Sequence, residues 1–356
     1  MTEPTFPELG CYLLPGHTQT PADAMREARQ AENLGLGKLW LSERFDVKDA
    51  GVICAAAMAV TEHIGVATAA TNLHTRHPHV LATMCSSLHH LSPGRFTLGL
   101  SRGVAVRDDL MGLPHVSNRQ LVDGLDILRT LWSGGKVMGY EGPMGNLPYL
   151  SSGDWLDAHI PIYFVGFGIK SLAFAGQHFD GVHLHTFITP HGLQRARSAV
   201  AEGAARAGRE PADIRICSVM ATVCKPTREA YLKKIVGRMA TYMQAPGYAE
   251  LLVALNEWDT QVLEAFRAHP TVSSMLGGID SVATLEQLEE IEALIPQEWL
   301  SASATGDAAD CAKRIVQELD GGADEVCIHG STPDEFESVI DAYRELKSSA
   351  SAESAV

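Results

Sequence analysis

Short apolar runs alternate with longer segments of helical character along most of the chain. In residues 117–132, for example, Leu121, Leu125 and Leu128 recur at helical spacing and form one apolar stripe. The apolar runs themselves have the length of buried strands, and there are eight: Leu9–Leu14, Leu39–Leu41, Ile64–Ala70, Phe96–Leu100, Ile162–Val165, Val182–Leu184, Ile214–Val223 and Val326–Ile328. Eight strands that are each followed by helical sequence predict an α/β protein, a (β/α)8 TIM barrel.

The expected helix boundaries carry local markers. A capping hydroxyl precedes a proline at three predicted helix starts, Thr20-Pro21, Thr189-Pro190 and Thr332-Pro333. Glycines that suit a left-handed helix end follow three predicted helices, at Gly35, Gly134 and Gly321. A doubly wound Rossmann sheet is the main alternative, but it requires GxGxxG after the first strand. This chain has Pro15-Gly16-His17-Thr18 at that point, so the barrel is favoured.

We predict a single barrel domain over residues 1–347, with two stretches that are too long to be plain connections. Residues 134–160 are rich in Gly and Pro, and residues 246–300 have mostly helical character. Both are expected to be insertions at the carboxyl-terminal face of the barrel, where barrel enzymes build their substrate sites. The low-complexity tail, residues 348–356, is expected to be disordered.

Composition narrows the class of protein. Of the 356 residues, 46% are hydrophobic and 20% are charged, as in ordinary globular proteins. A formal charge of −15 argues against a nucleic-acid partner, which would need a basic face. No apolar run approaches the roughly 20 residues of a membrane span, and no signal peptide is recognisable, so we expect a cytoplasmic protein without membrane contact. The seven cysteines have no CxxC pair and no regular spacing, which argues against a disulfide framework.

Polar residues collect just past the carboxyl ends of the predicted strands, where barrel enzymes place their sites. His and Arg are frequent among them although the chain is acidic, which predicts an anionic ligand. The set comprises Glu43, Arg44, Asn72, His74, Ser101, Arg102, Arg107, Gly166, Phe167, Gly168, His183, His185 and His329. The Glu43-Arg44 pair could equally be a surface salt bridge. No metal site is predicted, because the histidines of segment 74–79 have neither helical nor zinc-ribbon spacing.

The fifth strand leads into Gly166-Phe167-Gly168, which is followed by helical sequence. Backbone N–H groups at such a helix start form an anion site, and glycines let a phosphate approach the main chain. A tight turn without a ligand is the alternative interpretation. The order of strand, Gly-rich turn and helix favours the anion site.

Four stretches of the chain resemble the bacterial-luciferase-like superfamily, and within it the branch that uses the deazaflavin coenzyme F420. They are ARQAENLGLGKLWLSERF (28–45), LSPGRFTLGLSRG (91–103), IPIYFVGFGIKSLAFAGQHFDG (160–181) and GGADEVCIHG (321–330). The resemblance extends from about Leu9 to Leu346. It implies an oxidoreductase on a (β/α)8 barrel, usually a homodimer, that exchanges a hydride between F420 and a small-molecule substrate.

The resemblance also implies where the cofactor lies. Its phosphate would be near Gly166, Phe167 and Gly168. A bulge with a non-proline cis peptide in the third strand commonly supports the back of the ring, and the matching residues here are Ala67, Thr68, Ala69 and Ala70. The other expected cofactor contacts are Asn72, Ser101, Arg102, Gly103 and Arg107.

The chain departs from the family pattern at two positions. Deazaflavin members usually end the second strand with an acid and a His, whereas this chain has Glu43 and Arg44, and a second family acid falls near Val104. We expect Arg44, oriented by Glu43, to stabilise negative charge on the N1–C2=O edge of the ring. Because arginine stays protonated, a histidine would have to transfer the proton. The candidates are His74, His185 and His329, of which His74 and His185 are preferred.

Two other functions stay open from the sequence. An FMN-dependent monooxygenase could use the same barrel, and a cofactor-binding protein without turnover would fit the loss of the family acid and His. A partly apolar substrate is expected because apolar side chains fall in or near the predicted site, namely Met144, Trp155, Phe164, Phe167 and Phe187.

Overall fold

The architecture was obtained as a computed structural model, which describes residues 4–353 and the side chains of residues 4–349. This part of the chain contains the strands β1 (Phe6–Tyr12), β2 (Leu36–Leu41), β3 (Gly65–Thr68), β4 (Thr71–Asn72), β5 (Phe96–Ser101), β6 (Lys136–Gly142), β7 (Gly145–Ser151), β8 (Ile162–Val165), β9 (Gly181–His183), β10 (Arg215–Cys224), β11 (Ala304–Gly306) and β12 (Glu325–His329).

The helices of the same residues are α1 (Ala24–Asn33), α2 (Ala50–Ala59), α3 (Pro78–Leu91), α4 (Ala105–Leu110), α5 (Asn118–Trp132), α6 (Ile169–His178), α7 (Pro190–Arg206), α8 (Arg228–Tyr231), α9 (Gly237–Gln244), α10 (Tyr248–Asn256), α11 (Thr260–Ala268), α12 (Pro270–Ser273), α13 (Ile279–Val282), α14 (Leu285–Glu292), α15 (Gln297–Leu300), α16 (Ala308–Asp320) and α17 (Pro333–Glu353). A 3₁₀ turn (Pro211–Asp213) and a π-helical segment (Leu232–Val236) complete the set. Within residues 4–353, no helix is both long and apolar enough to cross a membrane.

Eight strands close into the predicted barrel. They pair in parallel in the order β1-β2-β3-β5-β8-β9-β10-β12, and β12 pairs with β1 again. Each of these strands coincides with one of the apolar runs, so the (β/α)8 fold is confirmed. Strands buried on both faces read as continuous apolar runs, which is why their positions are visible in the sequence.

Packing separates the inside of the barrel from its outer layer. Tyr12, Trp40, Tyr163, Cys217 and Cys327 pack together from five different strands and fill the interior. The opposite faces of the strands pack on the surrounding helices and form the larger core. The strand ends are therefore held in a fixed ring around a solid centre, which positions the loops that follow them.

The two predicted insertions have different structures. Strands β6 and β7 form an antiparallel hairpin within residues 134–160. Residues 246–300 contain α10 to α15 and are mostly helical, as the sequence indicated. The description of residues 1–347 as a single domain stays a prediction.

Local signals at the helix ends were partly misleading. Helix α7 begins as predicted, with the Gly192 N–H donating to the hydroxyl of Thr189 at 3.0 Å. Helix α1 begins only at Ala24. The Thr20 hydroxyl accepts a hydrogen bond from the Ala22 N–H at 3.2 Å, which closes a turn before the helix. The left-handed residue after α16 is Gly322 (φ +96°) instead of Gly321.

The end of the chain also differs from the prediction. Helix α17 continues to Glu353, so the backbone of residues 348–353 is helical and not disordered. The hydroxyls of Ser348 and Ser349 donate to carbonyls four residues earlier, at 2.8 and 3.0 Å, which fits them to a helix surface. Residues 354–356 lie outside the described residues.

All seven cysteines are free thiols, and Cys224 alone among them is partly exposed. Burial raises the pKa of the other six, a set that comprises Cys11, Cys54, Cys85, Cys217, Cys311 and Cys327. For Cys311 burial raises the pKa to about 12. These thiols therefore behave as small apolar side chains of the core.

Candidate active site

The predicted site residues meet at the carboxyl end of the barrel because the barrel strands are parallel. A cleft of about 620 Å³ opens there between the loops that follow β2, β4 and β5. Its lining includes Glu43, Arg44, Lys48, His74, Arg76 and Met111. Most of its lining residues are polar or charged, and its size is sufficient for a small organic ligand.

Glu43 is bonded to Arg76 and not to the neighbouring Arg44. Arg76 donates to both carboxylate oxygens of Glu43, at 2.5 and 2.9 Å, in the forked geometry of strong ion pairs. The Thr71 hydroxyl and the Ala50 N–H also donate to this carboxylate, at 2.7 and 3.0 Å. The predicted orienting pair with Arg44 is therefore wrong, because the acceptors of Glu43 are already used to join the β2 end to β4 and α2.

Arg44 reaches the cleft without a carboxylate partner. Its backbone forms a two-way bridge with Lys48, with N–H to O distances of 3.0 and 2.8 Å. None of the described residues accepts a hydrogen bond from its guanidinium. Burial lowers the pKa of Arg44, and the nearby positive charge of Arg238 lowers it further. A half-buried cation without an acceptor favours an anionic ligand at this point of the cleft.

Two more cations lie beside Arg44. The ammonium of Lys48 is buried and donates to the Leu14 carbonyl at 2.6 Å. Burial, with a contribution from Arg44, lowers the pKa of Lys48 to about 8. Arg238 of α9 is bonded to Asp280 of α13 at 3.1 Å. The clustering of basic groups that the sequence predicted is thus present, although two of the cations come from positions that were not predicted.

His74 is paired with a buried acid. Its Nε2 lies 3.1 Å from Asp108 Oδ1, and the two side chains are only 2% and 5% exposed. A Cβ atom on Gly103 would lie 2.5 Å from Asp108 Oδ2 and 3.0 Å from His74 Cε1. The pair can pack against this backbone because residue 103 is a glycine. The Nδ1 atom of His74 is buried and has no hydrogen-bond partner among the described residues.

His185 lies in an aromatic enclosure. The ring centroids of Phe167, Tyr242 and Tyr248 are 5.0, 4.5 and 4.9 Å from the imidazole. Burial lowers the pKa of His185 to about 3, although the contact with the Thr186 carbonyl opposes this shift. The imidazole is therefore neutral near pH 7, which makes it a poorer match for proton transfer than an imidazole that titrates near neutrality.

Two further histidines lie at the end of the barrel interior. His183 Nε2 is 2.9 Å from the Tyr12 hydroxyl, and the His329 ring packs edge-on against Tyr12 at 4.8 Å. Burial lowers the pKa of both His183 and His329. His329, the third predicted proton carrier, is therefore neutral near pH 7 as well.

The third strand ends in the expected bulge. The peptide bond between Ala69 and Ala70 is cis, and β4 resumes at Thr71. The Tyr12 hydroxyl lies 3.3 Å from the Ala69 carbonyl and supports the bulge from inside the barrel. Ala67 and Thr68 are 0% exposed within the wall, so neither of these two predicted residues offers a side-chain surface to a ligand.

The residues after β5 form a connected group. Ser101 donates to the side-chain oxygen of Asn72 at 2.9 Å, and the Gly103 N–H donates to the Ser101 hydroxyl at 3.2 Å. This group ties the β4 loop to the β5 loop next to the cleft. Arg107 is exposed on α4, and its charge acts on Arg44.

The turn Gly166-Phe167-Gly168 connects β8 to α6, as predicted, with Gly168 at the N-cap of the helix. Arg102 donates to the hydroxyl of Ser171 at 2.8 Å, so a guanidinium lies at the first turn of α6. A helix N-terminus beside an arginine is an arrangement that suits a phosphate. The turn is covered by α10, since a Cβ atom on Gly168 would lie 3.1 Å from Leu251.

The apolar part of the cleft differs from the expectation. It comes from Phe45, Val47, Met111 and Leu113. In contrast, Trp155 is 72% exposed and lies over His90 of α3. Within residues 4–349, no three or more His, Cys, Asp or Glu side chains are grouped so as to hold a metal ion.

Sequence reasoning missed four polar residues of this region, Lys48, Arg76, Asp108 and Arg238. Asp108 had a signal, because it is an acid shortly after the Gly-rich end of β5, four residues beyond the position near which the family acid falls. Arg76 lies among the histidines of segment 74–79, which were considered as metal ligands, and its own positive charge was not considered. Lys48 and Arg238 lie in a loop and in a helix away from the strand ends, so the strand pattern could not single them out.

Comparisons with known proteins agree with this architecture. The chain is 26% identical over 309 residues to the 5,10-methylenetetrahydromethanopterin reductase of Methanolobus tindarius, which covers 84% of this chain and 87% of that protein. It is 29% identical over 170 residues to the F420-dependent glucose-6-phosphate dehydrogenase of Beutenbergia cavernae, and this match covers 45% of this chain and 49% of that protein. The solved structure of the coenzyme F420-dependent tetrahydromethanopterin reductase of Methanopyrus kandleri has a TM-score of 0.76 at 19% identity and covers 97% of this chain and 99% of its own.

The family model for luciferase-like monooxygenases matches residues 6–325. This range includes β1 to β11 and reaches the first residue of β12. The resemblance seen in the sequence motifs is therefore confirmed, and the chain belongs to the luciferase-like monooxygenase family.

Proposed function

We propose that this protein is an F420-dependent oxidoreductase that exchanges a hydride between the coenzyme and a small, partly apolar organic substrate. The strongest support from the geometry is Arg44, a guanidinium that lines the cleft and has no acceptor among the described residues. The similarity to F420-dependent reductases and dehydrogenases supports the choice of cofactor. These relatives are named for different substrates, so the similarity supports the cofactor and the reaction class.

The residues at the carboxyl end of the barrel fit an anionic cofactor that contains a ring system. The start of α6 and Arg102 would bind its phosphate, and the bulge at Ala69 and Ala70 would support the ring. Arg44 would donate hydrogen bonds to a negatively charged edge of the ring. When bound, the coenzyme supplies the hydride chemistry, while these residues bind and orient it.

The cofactor choice can be tested by titrating the purified protein with F420 and with FMN. We expect micromolar or tighter binding of F420 and much weaker binding of FMN. Tight FMN binding without F420 binding would contradict the proposal. It would favour the second candidate, an FMN-dependent monooxygenase, whose monooxygenase activity is supported by the match to the luciferase-like monooxygenase family.

Arg44 gives a sharper test of the site. Arg44→Ala should slow reduction or oxidation of bound F420 by on the order of 10²-fold, the typical effect of removing one preorganised donor. Arg44→Lys should restore only part of the rate, because an ammonium lacks the planar fork. Arg119→Ala, at an exposed arginine of α5, is the matched control. An unchanged stopped-flow rate at saturating F420 would remove Arg44 from the site.

A homodimer and a cytoplasmic location stay predictions. Analytical ultracentrifugation of the purified protein would test the first.

A further inference from the structure

Lys48 places a positive charge inside the protein. It is one of the largest fully buried side chains of the described residues, and only 1% of the residue is exposed. Its ammonium donates to the Leu14 carbonyl at 2.6 Å, and no carboxylate of the described residues forms an ion pair with it. A neutral donor could serve the same carbonyl without the cost of burying a charge. The charge itself therefore needs an explanation.

The Leu14 peptide is held from both sides. Leu14 follows β1 and has a left-handed backbone (φ +51°), a conformation in which a leucine persists only when its surroundings fix it. Its N–H donates to the carboxylate of Glu27 in α1 at 2.7 Å, and its carbonyl accepts from Lys48. The loop between β2 and α2, which contains Lys48, is thereby anchored to the carboxyl end of β1.

The same loop carries Arg44. The backbones of Arg44 and Lys48 exchange two hydrogen bonds, at 3.0 and 2.8 Å, and close the turn formed by residues 45–47. Both residues belong to the wall of the cleft, although Arg44 is partly exposed and Lys48 is buried. The contact that holds Lys48 therefore also fixes the backbone from which the Arg44 guanidinium extends.

The electrostatic surroundings of Lys48 link it to Arg44 as well. The titratable or charged groups that interact with it are Glu27 of α1, Arg44 and Asp46 of the same loop, Arg238 of α9 and His329 of β12. Burial, followed by the charge of Arg44, lowers the pKa of Lys48 to about 8, although the two acids oppose this shift. Two cations that disfavour each other are both stabilised by an anion bound beside them.

We propose that Lys48 is a positioning residue of the cofactor site, which holds Arg44 at the cleft and adds a second positive charge to the field that acts on a bound anion. The inference rests on the proposed function, because the anion is the negatively charged edge of the F420 ring. Lys48 is buried and does not need to touch the ligand. Its effect passes through the backbone of Arg44 and through the field, which is strong because both cations are partly or fully removed from water.

The coupling between the two cations can be measured without a cofactor. NMR of protein labelled with ¹³C at lysine Cε follows each ammonium as it titrates, and either Lys48→Met or Lys48→Arg assigns the Lys48 signal. We expect this signal to titrate at about pH 8, and Arg44→Ala should move the pKa upward, toward the ordinary value of about 10.4. Arg119→Ala, at an exposed arginine of α5, should leave it unchanged. A Lys48 signal that titrates with the exposed lysines, or that does not respond to Arg44→Ala, would overturn the proposal.

The second test is the pH dependence of F420 binding, measured by fluorescence titration. Loss of the Lys48 proton removes one of the two charges, so the wild-type affinity should fall as the pH rises from about 7 to about 9.5, by about tenfold for each unit by which the bound anion raises the Lys48 pKa. Lys48→Met should bind weakly at both pH values. Lys48→Arg keeps a charge that does not titrate in this range, so it should restore binding without the pH dependence.

Lys233→Met is the matched control, because Lys233 is an exposed lysine that donates to Glu229 at 2.6 Å, and it should behave like the wild-type protein. A purely structural role predicts that Lys48→Met lowers the melting temperature but keeps the wild-type affinity and its pH dependence, and this result would overturn the proposal. If the wild-type protein does not bind F420, the proposed function fails, and the NMR titration still decides whether Lys48 and Arg44 are coupled. Failure of the two ideas can therefore be told apart.

Discussion

Replacement of Glu43 by alanine should destabilise the protein far more than its position beside a surface loop suggests. The change removes four hydrogen bonds to the carboxylate, two of them from Arg76. Removing one partner of a buried ion pair costs about 3–5 kcal/mol because the other charge is left uncompensated. The Arg76 side chain is 16% exposed and keeps its contact with Asp49, so we expect the lower end, about 3 kcal/mol.

Urea unfolding of Glu43→Ala, followed by circular dichroism, measures this loss. Asp46→Asn is a suitable control, since Asp46 is an exposed acid of the same loop and accepts a hydrogen bond from the adjacent Val47 N–H at 2.9 Å. It should change the free energy of unfolding by less than about 0.5 kcal/mol. If Glu43→Ala is as stable as the control, the buried Arg76 pair does not organise the loop, and a role of Glu43 at the ligand becomes the better explanation.

Three further outcomes are expected. Burial lowers the pKa of His185 to about 3, so between about pH 6.5 and 3 the unfolded state binds one more proton at this residue than the folded state. As the pH is lowered through this window, the free energy of unfolding should decrease by about 1.4 kcal/mol per pH unit from this group. His185→Gln should reduce this pH dependence in urea unfolding, and an unchanged dependence would contradict the assignment. Gly168→Asp should weaken F420 binding in a folded protein because it adds negative charge at the start of α6, and an unchanged affinity in a titration would exclude the anion role. Gly203→Ala in α7 should lower the melting temperature, because the added Cβ would lie 1.8 Å from the Ala173 carbonyl oxygen of α6. An unchanged melting temperature would show that α6 and α7 can move apart without a loss of stability.

The barrel could be predicted because each strand is a short apolar run between turn residues, and parallel strands have this pattern wherever helices cover the sheet. The location of the site followed from the fold, since every residue just past a strand end must face the same opening. The helix starts were less certain. A capping hydroxyl can also close a turn before the helix, as Thr20 does.

The pairing of charges could not be predicted from the sequence. Glu43 has its partner 33 positions away, and the adjacent Arg44 was the nearer choice by sequence alone. His74 and Asp108 are 34 positions apart and meet only because β4 and β5 are neighbours in the barrel. Strand order is a property of the folded chain, so contacts between different loops become visible only in the structure.

The buried thiols give the protein an internal reporter of its own unfolding. The cysteine thiolate is the nucleophile that attacks an alkylating reagent, so in the native protein Cys224 should be labelled, while the six buried cysteines should not react. Cys217 and Cys327 face the barrel interior, and labelling of either one requires that neighbouring strands separate. Mass spectrometry after a short alkylation pulse would therefore show, strand by strand, which part of the barrel opens first.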